Sequence, residues 1–291
     1  MKLGLGTVEF AAKTGKHALQ VSRDEARRIL EIAQQACIPL LDTAQQAGDS
    51  EEVLAECLSP SQAFKIVAKA PAFSTDFVGG HHADQLEKSL RRTLETLGKD
   101  KVYALMIGSD QGLFATQGDK LFRRMQALKE QGLIEKIGVS VSHGGHIDRL
   151  LSHGLPDIVQ LPLNVLDQRL LLGGHLHRLK AKHVEIHVRD IFLQGVLLDP
   201  THLHPWFWPI RKQMNSYHDF LIQEGLTPME GALNFVTSLP EVDFALVGVQ
   251  SAQQLEEVIA GVDMGLDARQ FIPFACPDSR FIDPLKWNLY E

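Results

Sequence analysis

Along the chain, short apolar runs of strand character alternate with longer stretches whose apolar residues recur at three- and four-residue spacing. The runs are Lys2–Val8, a second ending at Asp42, Phe64–Ala70, Val102–Ile107, Lys136–Val141, Ile158–Asn164, Val184–Ile191 and Phe244–Gln250. Among the intervening stretches, Ile29, Leu30, Ile32 and Ala33, then Leu86, Leu90, Leu94 and Leu97, then Leu121, Met125 and Leu128 each mark one apolar helix face, and Ile147 and Leu150 a shorter one. Helix starts are signalled where an oxygen-bearing residue stands three ahead of a Glu or Gln that can reach back: Ser22 with Glu25, Asp49 with Glu52, Thr227 with Glu230, and Ser251 with Gln254. Pro228 adds a proline at a first helical position.

Eight strands, each followed by helical pattern, predict a (β/α)8 TIM barrel, and 291 residues suit one such domain spanning 1–291. No linker or low-complexity segment divides it. The stretch from Asp199 to about Tyr217 is longer than an ordinary strand-to-helix loop and reads as a lid or extra element. Its Trp206-Phe207-Trp208 can pack on the barrel or close over a bound ring.

Charge narrows the partners. The formal net charge of -7 and the lack of any Lys/Arg run argue against a general nucleic-acid or anionic-membrane binder. No stretch approaches the ~18 apolar residues of a membrane span, and Glu9 interrupts the apolar start before a signal peptide could form. Three widely spaced cysteines, Cys37, Cys57 and Cys276, read as small buried hydrophobes in a reducing cytoplasm. His143 and His146 stand three apart but lack a carboxylate or cysteine partner at helical spacing, so no metal site is expected.

Candidate chemistry concentrates in Leu40 to Leu54, where two leucines run into Asp42-Thr43-Ala44 and a short polar loop with Gly48 leads to a helix start at Ser50-Glu51. This puts a carboxylate at the carboxyl end of a strand, the face where the loops of a parallel barrel converge on an active site. The stretch resembles the Asp-Thr-Ala-x-x-Tyr-Gly-x-Ser-Glu motif of the aldo-keto reductase superfamily, matching at Asp42, Thr43, Ala44, Gly48, Ser50 and Glu51. The resemblance extends along the chain: Gly6-Thr7, the strand-three lysine Lys69, Gly138-Val139-Ser140, Gln160 with Asn164, and a C-terminal cofactor segment at Gly248 to Leu255. The run His187-Val-Arg189 with Phe192-Leu-Gln-Gly195 is similar to that of a bacterial subgroup.

What the resemblance implies is NAD(P)H-dependent reduction of a carbonyl. An Asp-Tyr-Lys-His tetrad sits at the mouth, where the lysine, paired with the aspartate, tunes a phenol to give its proton to the substrate oxygen. Asp42 and Lys69 match; Ala47 stands for the tyrosine and Gly108 for the histidine. Neither can donate a proton, and losing a positioned acid costs about 10² to 10⁴ in rate. Substitutes near the mouth are Ser109, Asp110, Glu9, His81 and His82, whereas Tyr103, at the start of the fourth strand, belongs to the opposite end.

For the cofactor the resemblance implies Gly6, Thr7, Ser140, Gln160, Arg189, Gly248, Gln250, Ser251 and Gln254. Gly248 and Gln254 replace the basic residues commonly offered to a 2′-phosphate, Val141 replaces a carboxamide-binding asparagine, and the amides at the last helix start remain for a pyrophosphate. Arg189 and Asp190 are equally readable as a structural salt bridge. Two functional classes stay open: an NAD(P)-dependent oxidoreductase with altered proton donors acting on a small carbonyl substrate, and a catalytically silent relative that binds a nucleotide, a sugar-like ligand or a partner protein. A third and weaker one is proton abstraction by Asp42 or Lys69.

Overall fold

The structure, a computed structural model, describes residues 2–11, 21–43, 48–154, 156–262, 264–287 and 289. Eight strands, β1 (Leu3–Gly6), β2 (Leu40–Asp42), β3 (Lys65–Ala70), β4 (Val102–Ile107), β5 (Ile134–Ser140), β6 (Ile158–Pro162), β7 (Glu185–Arg189) and β8 (Phe244–Gly248), close in sequence order into a parallel barrel, β8 pairing back onto β1. This is the (β/α)8 architecture expected from the pattern. The observed strands are mostly shorter than the apolar runs; β1 stops at Gly6 because Thr7 begins a turn, its amide bonding to Asp42 O at 3.0 Å.

Helices α1 (Arg23–Gln35), α2 (Ser50–Cys57), α3 (Gly80–Leu97), α4 (Gln111–Phe114), α5 (Asp119–Glu130) and α6 (Gly144–His153) follow the first five strands. Then come α7 (Arg169–Leu172), α8 (His175–Lys180), α9 (Arg211–Glu224), α10 (Pro228–Thr237), α11 (Ala252–Ala260) and α12 (Ser279–Ile282). The predicted faces are the packed ones: Ile29, Leu30 and Ala33 of α1, Leu86 and Leu90 of α3, and Leu121, Met125 and Leu128 of α5 are fully enclosed. Among the described residues no helix is long and apolar enough to cross a membrane, and no group of three or more His, Cys, Asp or Glu side chains could hold a metal ion.

The caps follow the sequence in part. Thr227 and Glu230 cap α10 reciprocally, Glu230 Oε2 taking the Thr227 amide at 2.7 Å. Ser22 accepts from the Glu25 amide at 3.2 Å, but the Glu25 carboxylate crosses to the Ala252 amide at the start of α11, 2.6 Å away. Asp49 does not cap α2, because its backbone (φ -97°, ψ 20°) lacks the extended conformation a capping side chain needs. Cys37, expected to be buried, is exposed: it ends α1 in the left-handed region (φ 56°). The long segment after β7 is no open lid. Phe207 is buried against Trp287, ring centroids 5.1 Å apart, Trp206 Nε1 donates to Arg280 O at 3.3 Å, and Trp208 stays exposed.

Candidate active site

Register and alternation decide what faces the barrel axis. Asp42 ends β2 level with Gly6 of β1 and Val67 of β3, and Lys69 stands two residues beyond Val67, so both side chains turn inward near the carboxyl mouth. Lys69 Nζ donates to Asp42 Oδ2 at 2.6 Å, and Gln160 Nε2, from β6, donates to the same oxygen at 3.2 Å. Among the described residues, Asp42 Oδ1 and the Thr43 hydroxyl are buried without a hydrogen-bonding partner. An orphaned acceptor in a buried carboxylate costs free energy unless something else supplies the donor. The fold thus joins Asp42 and Lys69, read from the sequence as a pair, to Gln160, which the resemblance had assigned to the cofactor.

The resemblance assigned Ala47 and Gly108 to the tyrosine and histidine positions of the tetrad. Ala47 lies outside the described residues. Gly108 follows β4 on an exposed stretch, and a Cβ built there would meet its nearest atom, Ala70 O, at 3.4 Å, ordinary van der Waals contact. A Cβ at Gly108 is therefore accommodated.

The substitutes are occupied elsewhere. Ser109 Oγ accepts from the Gln111 amide at 3.3 Å, and His82 Nδ1 accepts from the Gly79 amide at 3.0 Å, capping α3. Glu9 accepts from Gln250 Nε2 at 3.1 Å, linking the loop after β1 to the one after β8. Tyr103 is at the amino end as expected, its hydroxyl donating to Glu185 Oε2 at 2.8 Å. Sequence reasoning missed one pair: Asp110 Oδ2 and His146 Nδ1 lie 2.6 Å apart on the rim between β4 and α6. Burial pushes the Asp110 carboxyl up, and His146 partly offsets this. Only packing of the two loops joins residues 36 apart in sequence, so no local spacing could have shown it.

The residues assigned to a cofactor fall into two groups. Ser140 and Gln160 are buried at the mouth, and Thr7 is fully buried, its hydroxyl donating to Asp42 O at 3.4 Å, which makes it a support for Asp42. Gly248, Gln250 and Gln254 line a separate cleft of about 950 Å³ between the loops after β7 and β8. At the start of α11, Gln250 N bonds to Gln254 Oε1 (2.7 Å), Ala252 N to Glu25 (2.6 Å) and Gln254 N to Ser251 Oγ (3.1 Å). Amides that the sequence offered to a pyrophosphate are already engaged. Arg189, the last residue of β7, pairs with Asp190 and donates to Ser142 Oγ at 2.8 Å.

Comparison with known proteins places this geometry among relatives. The family described as Aldo/keto reductase family matches residues 2–272. No curated protein matches the chain. Of solved structures, the holo form of an aldo-keto reductase from Bacillus halodurans superposes with a TM-score of 0.74 at 17% identity, covering 94% of this chain and 90% of that one. A protein from Pseudomonas aeruginosa assigned as an aldo-keto reductase gives 0.67 at 23% identity, covering 93% and 90%. At these identities the two structures speak for the fold.

Proposed function

The chain belongs to the aldo/keto reductase family, and from that premise we propose an NAD(P)H-binding, oxidoreductase-type barrel in which reduction of small carbonyl compounds is slowed by the loss of the proton donor. The observation that carries the reading is the Asp42–Lys69 pair, kept at 2.6 Å without a described phenol beside it. Of three tyrosines, Tyr103 serves Glu185 at the amino end, Tyr217 is fully buried under α10, and Tyr290 lies outside the described residues. An ammonium held by a carboxylate has the charge to stabilise a phenolate or a developing alkoxide, but a substrate oxygen still needs a proton.

The cleft between the β7 and β8 loops is large enough for the nucleotide end of a dinucleotide, with Gln250 and Gln254 among its carboxamide contacts. It suits a 2′-phosphate poorly. Among the described residues, Glu9, Asp190, Glu230 and Glu257 line it, and no Lys or Arg does. The cofactor, when bound, supplies a hydride; the chain's part is to orient the carbonyl over Lys69 and keep Asp42 beneath it.

Titration of NADH and NADPH by nicotinamide fluorescence, followed by a panel of aldehydes and ketones, tests the reading. Binding with slow turnover is the expected result. Binding with no turnover on any carbonyl would favour the silent relative, and failure to bind either nucleotide would remove the proposal altogether.

A further inference from the structure

Inward-facing residues of β7 alternate as Glu185, His187 and Arg189, and each rung meets a different environment. Glu185 is bound at the amino end, His187 Nε2 lies 2.7 Å from Glu185 Oε1, and Gln160, level with His187 on β6, reaches Asp42. Arg189 is therefore the next rung outward, at the mouth. Its guanidinium leans toward the β5 side, Nη2 donating to Ser142 Oγ at 2.8 Å, while Nη1 meets the Asp190 carboxylate.

Asp190 holds that position at a cost. Its φ is 60°, in the left-handed region that a non-glycine residue seldom adopts. Asn164 Nδ2, from a buried side chain, pins the Asp190 carbonyl at 3.0 Å, and the Leu193 amide bonds to the same oxygen at 3.0 Å. Strain of this kind persists where surroundings impose it, and here it sets a carboxylate against the one arginine at the end of β7. The two acceptors use separate nitrogens, so neither supplies the paired oxygens that a guanidinium fork matches best.

We propose that Arg189, with Ser142, is the anchor for a carboxylate carried by the substrate, that Asp190 is the internal placeholder it displaces, and that the substrate class is accordingly a short oxo acid. The carbonyl half of this statement rests on the reduction proposed above; the anchor does not. A nucleotide phosphate is the other anion an arginine could take. The placement disfavours it, because Asp190 lines the β7–β8 cleft and Arg189 does not.

Malonate, which cannot be reduced, is the probe, titrated calorimetrically into the nucleotide-free protein at low salt alongside neutral malonamide. Malonate should bind and malonamide should not. Arg189→Met should weaken malonate by about tenfold or more, and Asp190→Asn, which tolerates the left-handed backbone and removes the competing charge, should tighten it several-fold. Ser142→Ala, with a smaller loss, serves if Arg189→Met melts early. Equal binding of malonate and malonamide, unchanged affinity in both the Arg189 and Ser142 variants, or weaker binding in Asp190→Asn would overturn the anchor. So would inorganic phosphate or 2′-AMP displacing malonate at lower concentration than malonate itself requires. Carbonyl reduction failing while malonate binds would sink the reductase reading alone, and reduction persisting without malonate binding would sink the anchor alone.

Discussion

The two ends of the barrel interior are built from the same kinds of residue and finished differently. At the amino end Glu185 accepts from Tyr103 at 2.8 Å, from Lys136, and from His187 at 2.7 Å, while Lys65 sits 4.8 Å over the Tyr103 ring. Both carboxylate oxygens are satisfied. At the carboxyl end Asp42 also has an ammonium and an amide, but both fall on one oxygen, and Oδ1 and the Thr43 hydroxyl have no partner among the described residues. Three strand ends around it, Gly6, Gly108 and Gly248, carry no side chain. Apart from His187 Nδ1, which is buried without a partner among the described residues, the amino-end network is closed and holds the barrel together, whereas an open one leaves polar atoms and space for something that arrives from solution.

If the mouth is an unfinished version of a working site, finishing it should have the largest effect of any change here. Ala47→Tyr combined with Gly108→His should raise NAD(P)H-dependent carbonyl reduction by up to about 10² to 10⁴, or about 3 to 5 kcal/mol of barrel-mouth chemistry. Either change alone should do less, since groups acting on one transition state are not additive. At Gly108 a Cβ meets its nearest atom, Ala70 O, at 3.4 Å, so the first atom of a side chain is accommodated. A double variant that folds, binds the cofactor and still reduces nothing would mean that the mouth differs from a reductase in more than its missing acid. Brisk turnover by the unmodified protein would show that an acid is already present, and the Asp110–His146 pair is then the first to test, through His146→Gln and the pH profile.

The closed end should instead register in stability. Burial on its own would raise the Glu185 carboxyl, but the hydrogen bonds from His187, Lys136 and Tyr103 overcome it and hold the group at about 2, against an ordinary 4.5. A carboxyl whose folded value is depressed stabilises above its unfolded value and loses that contribution as the pH falls toward the folded one. The linkage is worth about 3 kcal/mol, fully present above about pH 5 and gone near pH 2. Glu185→Gln should lower unfolding stability by roughly that amount at pH 7 and flatten the acid limb of the curve between about pH 5 and 2. Denaturant melts at pH 7, 4 and 3 read it directly; parallel curves for the two proteins would mean that the network contributes nothing through this proton.

These two ends were not equally legible. The strand ends were, because apolar runs stop at polar residues and one short motif fixed Asp42 and the helix start after it. Lys69 and Gln160 were legible only through the resemblance to the aldo-keto reductases, as its strand-three lysine and part of its Gln-x-Pro-x-Asn run. What stayed hidden was every pairing set by packing alone: Glu185 with Lys136 and Tyr103, Asp110 with His146, Glu51 with the Thr93 hydroxyl at 3.0 and 3.1 Å, and Glu25 with an amide 227 residues away. Each looked like an ordinary charged residue in its own segment. A cap is local and can be read, but even there Glu25 left its expected partner for a better-placed amide.

The same carboxylate-to-amide substitution at the other end sharpens the contrast. Asp42→Asn removes the charge paired with Lys69, yet Lys69 keeps some contact with water, its side chain 22% exposed. The cost to stability should be about 1 to 2 kcal/mol, less than at Glu185, because only one of the two oxygens is in use. Activity, where any is measurable, should fall further than stability does. If Asp42→Asn destabilises as much as Glu185→Gln, the two ends are energetically alike and the mouth is part of the scaffold.

The smallest expected effect concerns which nucleotide the open end prefers. A 2′-phosphate brings about two negative charges and three acceptor oxygens, and a site that selects it offers charge-assisted donors. The cleft between the β7 and β8 loops offers Glu9, Asp190, Glu230 and Glu257 instead, with Gln250 and Gln254 as its amides. Gln254 Oε1 accepts from the Gln250 backbone amide and Gln250 Nε2 donates to Glu9, so the donors these side chains still have for a phosphate are uncharged amide N–H groups. NADPH should therefore bind no more than about tenfold tighter than NADH, a margin of 1.4 kcal/mol, and raising the salt should help NADPH more than NADH by screening the carboxylates. Gly248→Lys should shift the ratio toward NADPH, since a Cβ there meets only the flexible Glu9 side chain, at 3.3 Å. A strong preference for NADPH in the unmodified protein that vanishes in Arg189→Met would hand Arg189 to the nucleotide, and the carboxylate anchor at the mouth would fall with it.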